Sequence, residues 1–195
     1  PKTPKAEGDF LYPDETETGI KIMSVNLLLD DETTPVLWRG PIIAGTVKQF
    51  YSDIIWGDID YMFIDCPPGT GDVPLTIFQS IPIDGVVVVT TPQDLVSVIV
   101  GKAVHMADSM NIPVIGMIEN MSYFICPDCN NKHYIFGKSQ LEQVIRDLYI
   151  GHAIRLPINP SLAGLMDRGE IEHMEANADL QEFADLISTF DPDKY

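Results

Sequence analysis

Basic residues are scarce in this chain: 12 lysines and arginines stand against 29 acidic residues, for a formal net charge of −17. A surface of that sign repels phosphate backbones and anionic headgroups at long range, so neither nucleic acid nor a membrane surface is an expected partner. Long apolar runs are also missing. The longest, GVVVVT from residue 85 and LVSVIV from residue 95, fall far short of the ~20 residues that cross a bilayer. The opening PKTPKAEGDF has no apolar core and is not read as a secretory signal. Only three cysteines are present. An odd number without a signal does not make a disulfide framework, and it fits a reducing, cytoplasmic setting. Finally, no phosphate-binding loop of the form G-x-x-x-x-G-K-[ST] occurs. Gly137, Lys138 and Ser139 supply its ending, but Lys132 stands where the first glycine belongs and HYIF where small residues belong.

What is present is enough for one sizeable core: 195 residues, 45% of them hydrophobic, read as a single domain over residues 1–195 after a polar lead-in over 1–18. From Ile20 onward, short apolar runs alternate with longer stretches of helical period, the sequence form of βα units around a mainly parallel sheet. KIMSVNLLL is predicted as a strand. Gly40 and Pro41 open a predicted helix whose buried stripe is Ile42, Ile43, Val47, Phe50, Tyr51, Ile54 and Ile55. YMFIDC and GVVVVTT are runs rich in β-branched or aromatic residues, as in strands covered on both faces. DLVSVIVGKAVHMADSMN is predicted as a helix capped by Asp94, and PVIGMIEN as the next strand. An irregular segment over 121–136 follows. Then come a helix over SQLEQVIRDLY, a strand HAIRLP, and two acidic amphipathic helices around SLAGLMDRG and DLQEFADLISTF.

Two strings carry chemistry. In YMFIDCPPGTGD an acid ends a strand and a Pro/Gly loop follows. In nucleotide-binding α/β folds ligands sit beyond the carboxyl ends of the strands, where Asp65 could hold a water of a Mg²⁺ ion. Gly69 and Gly71 would let the backbone approach a γ-phosphate and rearrange when it leaves. The same string also reads as an ordinary turn after a strand. Cys66, beside Asp65, reads as a small buried hydrophobe.

The second string is ICPDC. Cys126 and Cys129 are spaced to meet one soft metal centre, with Pro127 stiffening the loop between them. A tetrahedral thiolate site or a four-iron cluster needs four ligands, and this chain offers one C-x-x-C. A two-fold symmetric dimer would supply the other pair. Zinc held within one chain by Cys126, Cys129 and the nearby His133 is the main rival reading. A dithiol redox centre is another, although the flanking residues do not clearly begin a helix. An inert structural pair is a third. His105 and His152 show no ligand spacing.

PVLWRGPIIAGTVKQF, IDCPPGTGD, VVVVTTPQDL and ENMSYFICPDC follow one another as in the Mrp/ApbC-type iron–sulfur cluster carriers, a branch of the MinD-like P-loop ATPases, and the resemblance spans residues 20–169. It implies a three-layer α/β fold lacking, in this sequence, the first strand, P-loop and first helix. It also implies a homodimer carrying a bridging 4Fe-4S cluster between Cys126 and Cys129 of each subunit, with apo iron–sulfur proteins as recipients. By resemblance Asp65 matches the Walker B acid, and Gly69, Thr70, Gly71 and Asp72 match the second switch. Asn120 matches the residue that reads adenine, whose adjoining donor and acceptor suit a side-chain amide. Pro157 matches a residue lining the base pocket. ATP and Mg²⁺ would be used by the complete protein. Two other functions fit parts of the pattern. A MinD/ParA-like positioning ATPase would want a basic amphipathic C-terminal helix, and the end of this chain is acidic. A zinc-binding interaction module would suit a chain without a P-loop.

Overall fold

The computed structural model describes residues 6–7, 10–29, 40–174 and 177–194. The chain forms two compact units, Pro1–Pro82 and Ile83–Tyr195.

In the first unit, strands β1 (Ala6–Glu7) and β2 (Phe10–Leu11) pair antiparallel, as do β3 (Asp14–Glu15) and β4 (Lys21–Ile22). The strand expected over KIMSVNLLL is confined to Lys21–Ile22. Ser24 then diverts the backbone: its hydroxyl accepts from the Asn26 N–H at 3.3 Å and caps a 3₁₀ turn over Val25–Leu28. Serine competes for backbone donors in this way at turns, and one such bond is enough to break a marginal strand.

Helix α1 (Gly40–Ser52) opens where the sequence predicts, and the WRG that leads into it lies partly outside the described residues. Its inward stripe is shifted by one position. Ala44 is buried, Ile43, Val47 and Phe50 are half-buried, and Ile42, Tyr51 and Ile55 face outward. Ile54 is buried, but beyond the helix end, where it bridges Leu11. Helix α2 (Asp72–Ser80), which the sequence reading passed over, tolerates Pro74 because the first turn of a helix needs no internal donor there. It buries Pro74 and Ile77.

The strand expected over YMFIDC does not form. Residues 61–66 alternate between exposed and half-buried like a pleat, yet they have no ladder partner among the described residues. Side-chain pattern survives here without the pairing that defines a strand.

The second unit is built on a four-stranded sheet. The central strand β6 (Val114–Ile125) pairs parallel with β5 (Val86–Thr90) and with β8 (Ala153–Pro157), and antiparallel with the two-residue β7 (Lys132–His133). Between β5 and β6 runs α3 (Asp94–Ser109), with Gln93 rather than Asp94 at the cap position. Between β7 and β8 lies α4 (Leu141–Asp147). The chain ends in α5 (Pro160–Asp167) and α6 (Ala178–Thr189). Each of the last two is capped by an asparagine. Asn159 accepts from the Ser161 and Leu162 N–H groups at 3.0 and 3.4 Å, and Asn177 from those of Asp179 and Leu180 at 2.8 and 3.4 Å.

Adjacent residues of β6 show the layering. Met117 is fully buried and lines a small cleft with Val100 of α3 and with Leu141 and Val144 of α4. Its neighbour Gly116 faces Phe183 of α6 so closely that a Cβ would lie 2.8 Å from the ring. Successive side chains of a strand point to opposite faces, so helices cover both sides of this sheet, as the three-layer expectation requires. The core gathers Val88, Val100, Val104, Ala107, Met117, Leu141 and Phe183. Burying a side chain such as Met117 contributes roughly 1.5–3 kcal/mol.

Candidate metal centre

Strand β6 does not stop at Asn120. It continues to Ile125, turns through residues 126–131 and returns as β7, with Phe124 opposite His133 and Ile125 opposite Lys132. The segment expected to be irregular is therefore largely a hairpin, and the cysteines occupy its tip. The turn is closed at both ends by the Cys126 backbone, which accepts from the Asn130 N–H at 2.9 Å and donates to Asn131 O at 3.0 Å. Asn130 adopts a left-handed φ of 55°, which asparagine tolerates better than most residues.

This geometry aims three ligand atoms at one point: the thiol sulfurs of Cys126 and Cys129 and a ring nitrogen of His133 all lie within 4.8 Å of one another. Cys126 is half-buried, while Cys129 and His133 are exposed. The Cys126 thiol is held below the usual thiol value, first by the Cys129 backbone N–H, then by that of Asp128 and by the Cys129 thiol. A thiolate stabilised by such donors is the form that binds metal. The three are open to solvent and to another molecule.

The residues expected to face a nucleotide fall in both units. Asn120 and Pro157 belong to neighbouring strands of the second unit, but Asn120 lies within β6 rather than at its end, and Pro157 is in register with Tyr123, three residues further along. The register slips between Glu119 and Tyr123, and Met121 takes a φ of 54°. This bulge turns Asn120 outward, and its Oδ1 accepts from the Met121 N–H at 2.9 Å. That bond uses one lone pair. Among the described residues, no other side-chain hydrogen bond engages the Asn120 amide.

Asp65 and the segment 69–72 belong to the first unit. Asp65 is exposed at the end of the unpaired stretch rather than of a strand. Gly69 has a φ of +91°, and a Cβ on Gly69 or Gly71 would meet nothing within 4 Å, so the backbone there is open to close approach. Gly71 caps α2 without a side-chain bond, Asp72 begins the helix, and Thr70 is exposed. Cys66 is half-buried, and its thiol is pushed up by burial and then by the adjacent Asp65 charge. Its site disfavours the thiolate.

A buried acid was missed. Glu119 is 3% exposed and accepts from Ser122 Oγ at 2.6 Å and Ser139 Oγ at 2.9 Å. Arg155 Nε lies 3.6 Å from its carboxylate and donates to Ser139 Oγ at 3.1 Å. The signal was a lone acid inside the apolar run PVIGMIEN.

The ParA family model, described as NUBPL iron-transfer P-loop NTPase, matches residues 1–190. The chain belongs to this family of iron-transfer P-loop NTPases, which bears out its Mrp/ApbC-type resemblance. An iron–sulfur cluster carrier protein of Methanocaldococcus jannaschii is 47% identical over 167 residues, covering 85% of this chain and 58% of its own length. Another from Methanococcus maripaludis is 40% identical, covering 95% of this chain and 65% of its own. This chain thus spans under two thirds of either relative. Among solved structures, the Archaeoglobus fulgidus nucleotide-binding protein in complex with ADP, with Co found by PIXE, matches with a TM-score of 0.76. It is 37% identical, with 89% of this chain and 67% of that one covered. The fold is that of a P-loop NTPase.

Proposed function

We propose that the protein is an iron–sulfur cluster carrier in which Cys126 and Cys129 of two copies bind one bridging 4Fe-4S cluster as cargo, for delivery to apo iron–sulfur proteins in the cytoplasm. The observation that carries this is the pair of thiols at the tip of a solvent-open hairpin, converging within 4.8 Å yet supplying half of a four-thiolate set. A second copy related by a two-fold axis doubles each ligand. The carrier relatives support the role, and the exposed tip supports transfer, since cargo that must leave cannot be enclosed.

The complete protein would couple that cargo to ATP. Asn120 and Pro157 would face the base, the open backbone at Gly69, Thr70, Gly71 and Asp72 the phosphates, and Asp65 the Mg²⁺ ion, which would supply charge neutralisation at the phosphates. The ADP of the Archaeoglobus relative supports nucleotide binding in the family. A positioning ATPase is the weaker reading, because α6, ADLQEFADLIST, carries no basic residue for a membrane or DNA-bound partner. No described helix is long and apolar enough to cross a membrane.

The test is iron and sulfide analysis with mass measurement on anaerobically reconstituted protein. Iron and sulfide at one four-iron cluster per two chains, lost in Cys126→Ala or Cys129→Ala, is expected. A cluster retained at one per monomer in the double variant overturns the reading.

A further inference from the structure

The hairpin that carries the two thiols also fixes a third donor, and two independent contacts show which way it faces. Phe124 and His133 are directly opposite in the antiparallel register. Side chains of opposed residues share a face, and residues two apart on one strand share a face, so Phe124, His133 and Cys126 point to the same side of the hairpin. The other face is marked separately: Lys132, paired with Ile125, places its ammonium 4.1 Å from the centre of the Tyr123 ring. That cation–π contact holds Tyr123, Ile125 and Lys132 on the opposite side. His133 is thereby kept toward the cysteines, and Lys132 is kept away from them.

We infer that Cys126, Cys129 and His133 of a single chain form a mononuclear site for one divalent transition ion, Fe²⁺, Zn²⁺ or Co²⁺, with a fourth position open to solvent. Two thiolates and an imidazole are a donor set suited to borderline ions in tetrahedral geometry. Bond lengths of ~2.3 Å to sulfur and ~2.0–2.1 Å to nitrogen put tetrahedral donors roughly 3.5–3.8 Å apart. The observed separations, within 4.8 Å, need the three atoms to close by about an ångström at most. Cys129 and His133 are exposed, so side-chain rotation alone can provide it. Metal binding takes the thiols as thiolates and releases their protons to solvent, and the ion keeps its charge.

The inference rests on the carrier reading for the role of the two thiols and extends it. With His133 as the third donor, a lone protomer can keep an ion before it meets a partner.

The test uses the whole 195-residue chain and Co²⁺ under anaerobic conditions. Tetrahedral cobalt reports thiolate and imidazole ligation in its visible spectrum. Expected are one Co²⁺ per chain, a monomeric mass at micromolar protein, and at least a tenfold weaker affinity in His133→Ala with unchanged circular dichroism. His133→Cys should restore affinity with a spectrum shifted toward three thiolates. Equal affinity in His133→Ala, or saturation at one ion per two chains, overturns the inference. Cluster reconstitution on the same proteins separates the two readings. A cluster that assembles normally in His133→Ala, with weakened Co²⁺ binding, supports both. A wild-type chain that binds Co²⁺ through His133 but assembles no cluster defeats the carrier reading and leaves this site standing.

Discussion

Ser139 Oγ donates to Glu119 Oε2 at 2.9 Å, tying the segment that follows the cysteine hairpin to the strand that leads into it. The carboxylate has a second hydroxyl partner in Ser122, and Arg155 bridges from β8 to Ser139 and to Glu142 at 2.5 Å. The bulge carrying Asn120 and the return of the hairpin are thus anchored on one buried acid.

Replacing that acid should be costly. Glu119→Leu leaves the fully buried Ser122 hydroxyl without its acceptor and takes one partner from the half-buried Ser139, a loss of about 1–3 kcal/mol. Urea unfolding followed by circular dichroism should show a lower midpoint with an unchanged slope. A midpoint equal to wild type would mean that the hydroxyls find other partners.

The Arg155 contact also predicts a small pH dependence. Arg155 holds the Glu142 carboxyl below its ordinary value, chiefly through a hydrogen bond. A depressed folded value means that the stabilisation is fully present above the unfolded Glu value, about 4.3, and fades as pH falls through the lower folded value. Glu142 is exposed, so the effect is below about 1 kcal/mol after solvent screening. Glu142→Gln should be slightly less stable than wild type at pH 7, and the difference should shrink below pH 4. A gap that widens in acid contradicts this assignment.

Glycine-to-alanine exchanges should split by site. At Gly116 the new methyl would lie 2.8 Å from Phe183 and 2.9 Å from the His152 carbonyl oxygen, so α6 must move and stability should fall by about 1–3 kcal/mol. At Gly101, inside α3, a Cβ meets nothing within 4 Å, and the same exchange should stabilise by about 0.4–1 kcal/mol. Thermal melts of the two variants should move in opposite directions.

These contrasts show what the sequence could and could not reveal. GVVVVTT and HAIRLP became β5 and β8 because apolar β-branched runs between turn signals have few other fates. The ICPDC spacing was legible because ligand distance is a local property, and so was the possibility of His133. KIMSVNLLL and YMFIDC look equally strand-like. One is diverted by the Ser24 cap, and the other lacks a ladder partner among the described residues. Periodicity records which side chains turn inward, but a strand also needs a neighbour, and no local pattern names it. The extension of β6 past Asn120 was hidden for a related reason, since beside its register slip the buried Glu119 is satisfied from Ser139, twenty residues away.

Thiol reactivity should rank the three cysteines. Cys129 and Cys126 sit at an open turn, with the Cys126 thiol lowered by backbone donors, whereas Cys66 is half-buried and its thiol raised. The thiolate is the reacting form, so at pH 7.5 iodoacetamide should modify Cys126 and Cys129 well before Cys66. Cys66 labelling should need a more alkaline solution. Peptide mass analysis over time reads the order, and early modification of Cys66 would mean that its burial is transient.

The 195-residue chain should not hydrolyse ATP, although it contains Asp65 and an open backbone at Gly69 and Gly71, the residues proposed for the metal and the phosphates. Phosphoryl transfer depends on positioning and on charge stabilisation, and most of both comes from P-loop amides and lysine acting with bound magnesium. The sequence contains no complete P-loop. Without one, a chain of net charge −17 should repel polyphosphate more than its few donors attract it. Nucleotide binding should be weak or undetectable at millimolar ATP, and phosphate release should stay at background. Calorimetry and a phosphate-release assay can be run beside the same chain with a strand, a G-K-G-G-x-G-K-S loop and a helix joined ahead of Pro1. Asn120→Ala in the extended chain should mainly weaken binding and Asp65→Ala mainly lower turnover, because in the proposed site the first would face the base and the second the metal. Turnover by the short chain at the rate of the extended one would require a phosphate-binding loop among residues 1–195 other than Gly137 to Ser139, whose flanking residues cannot form one.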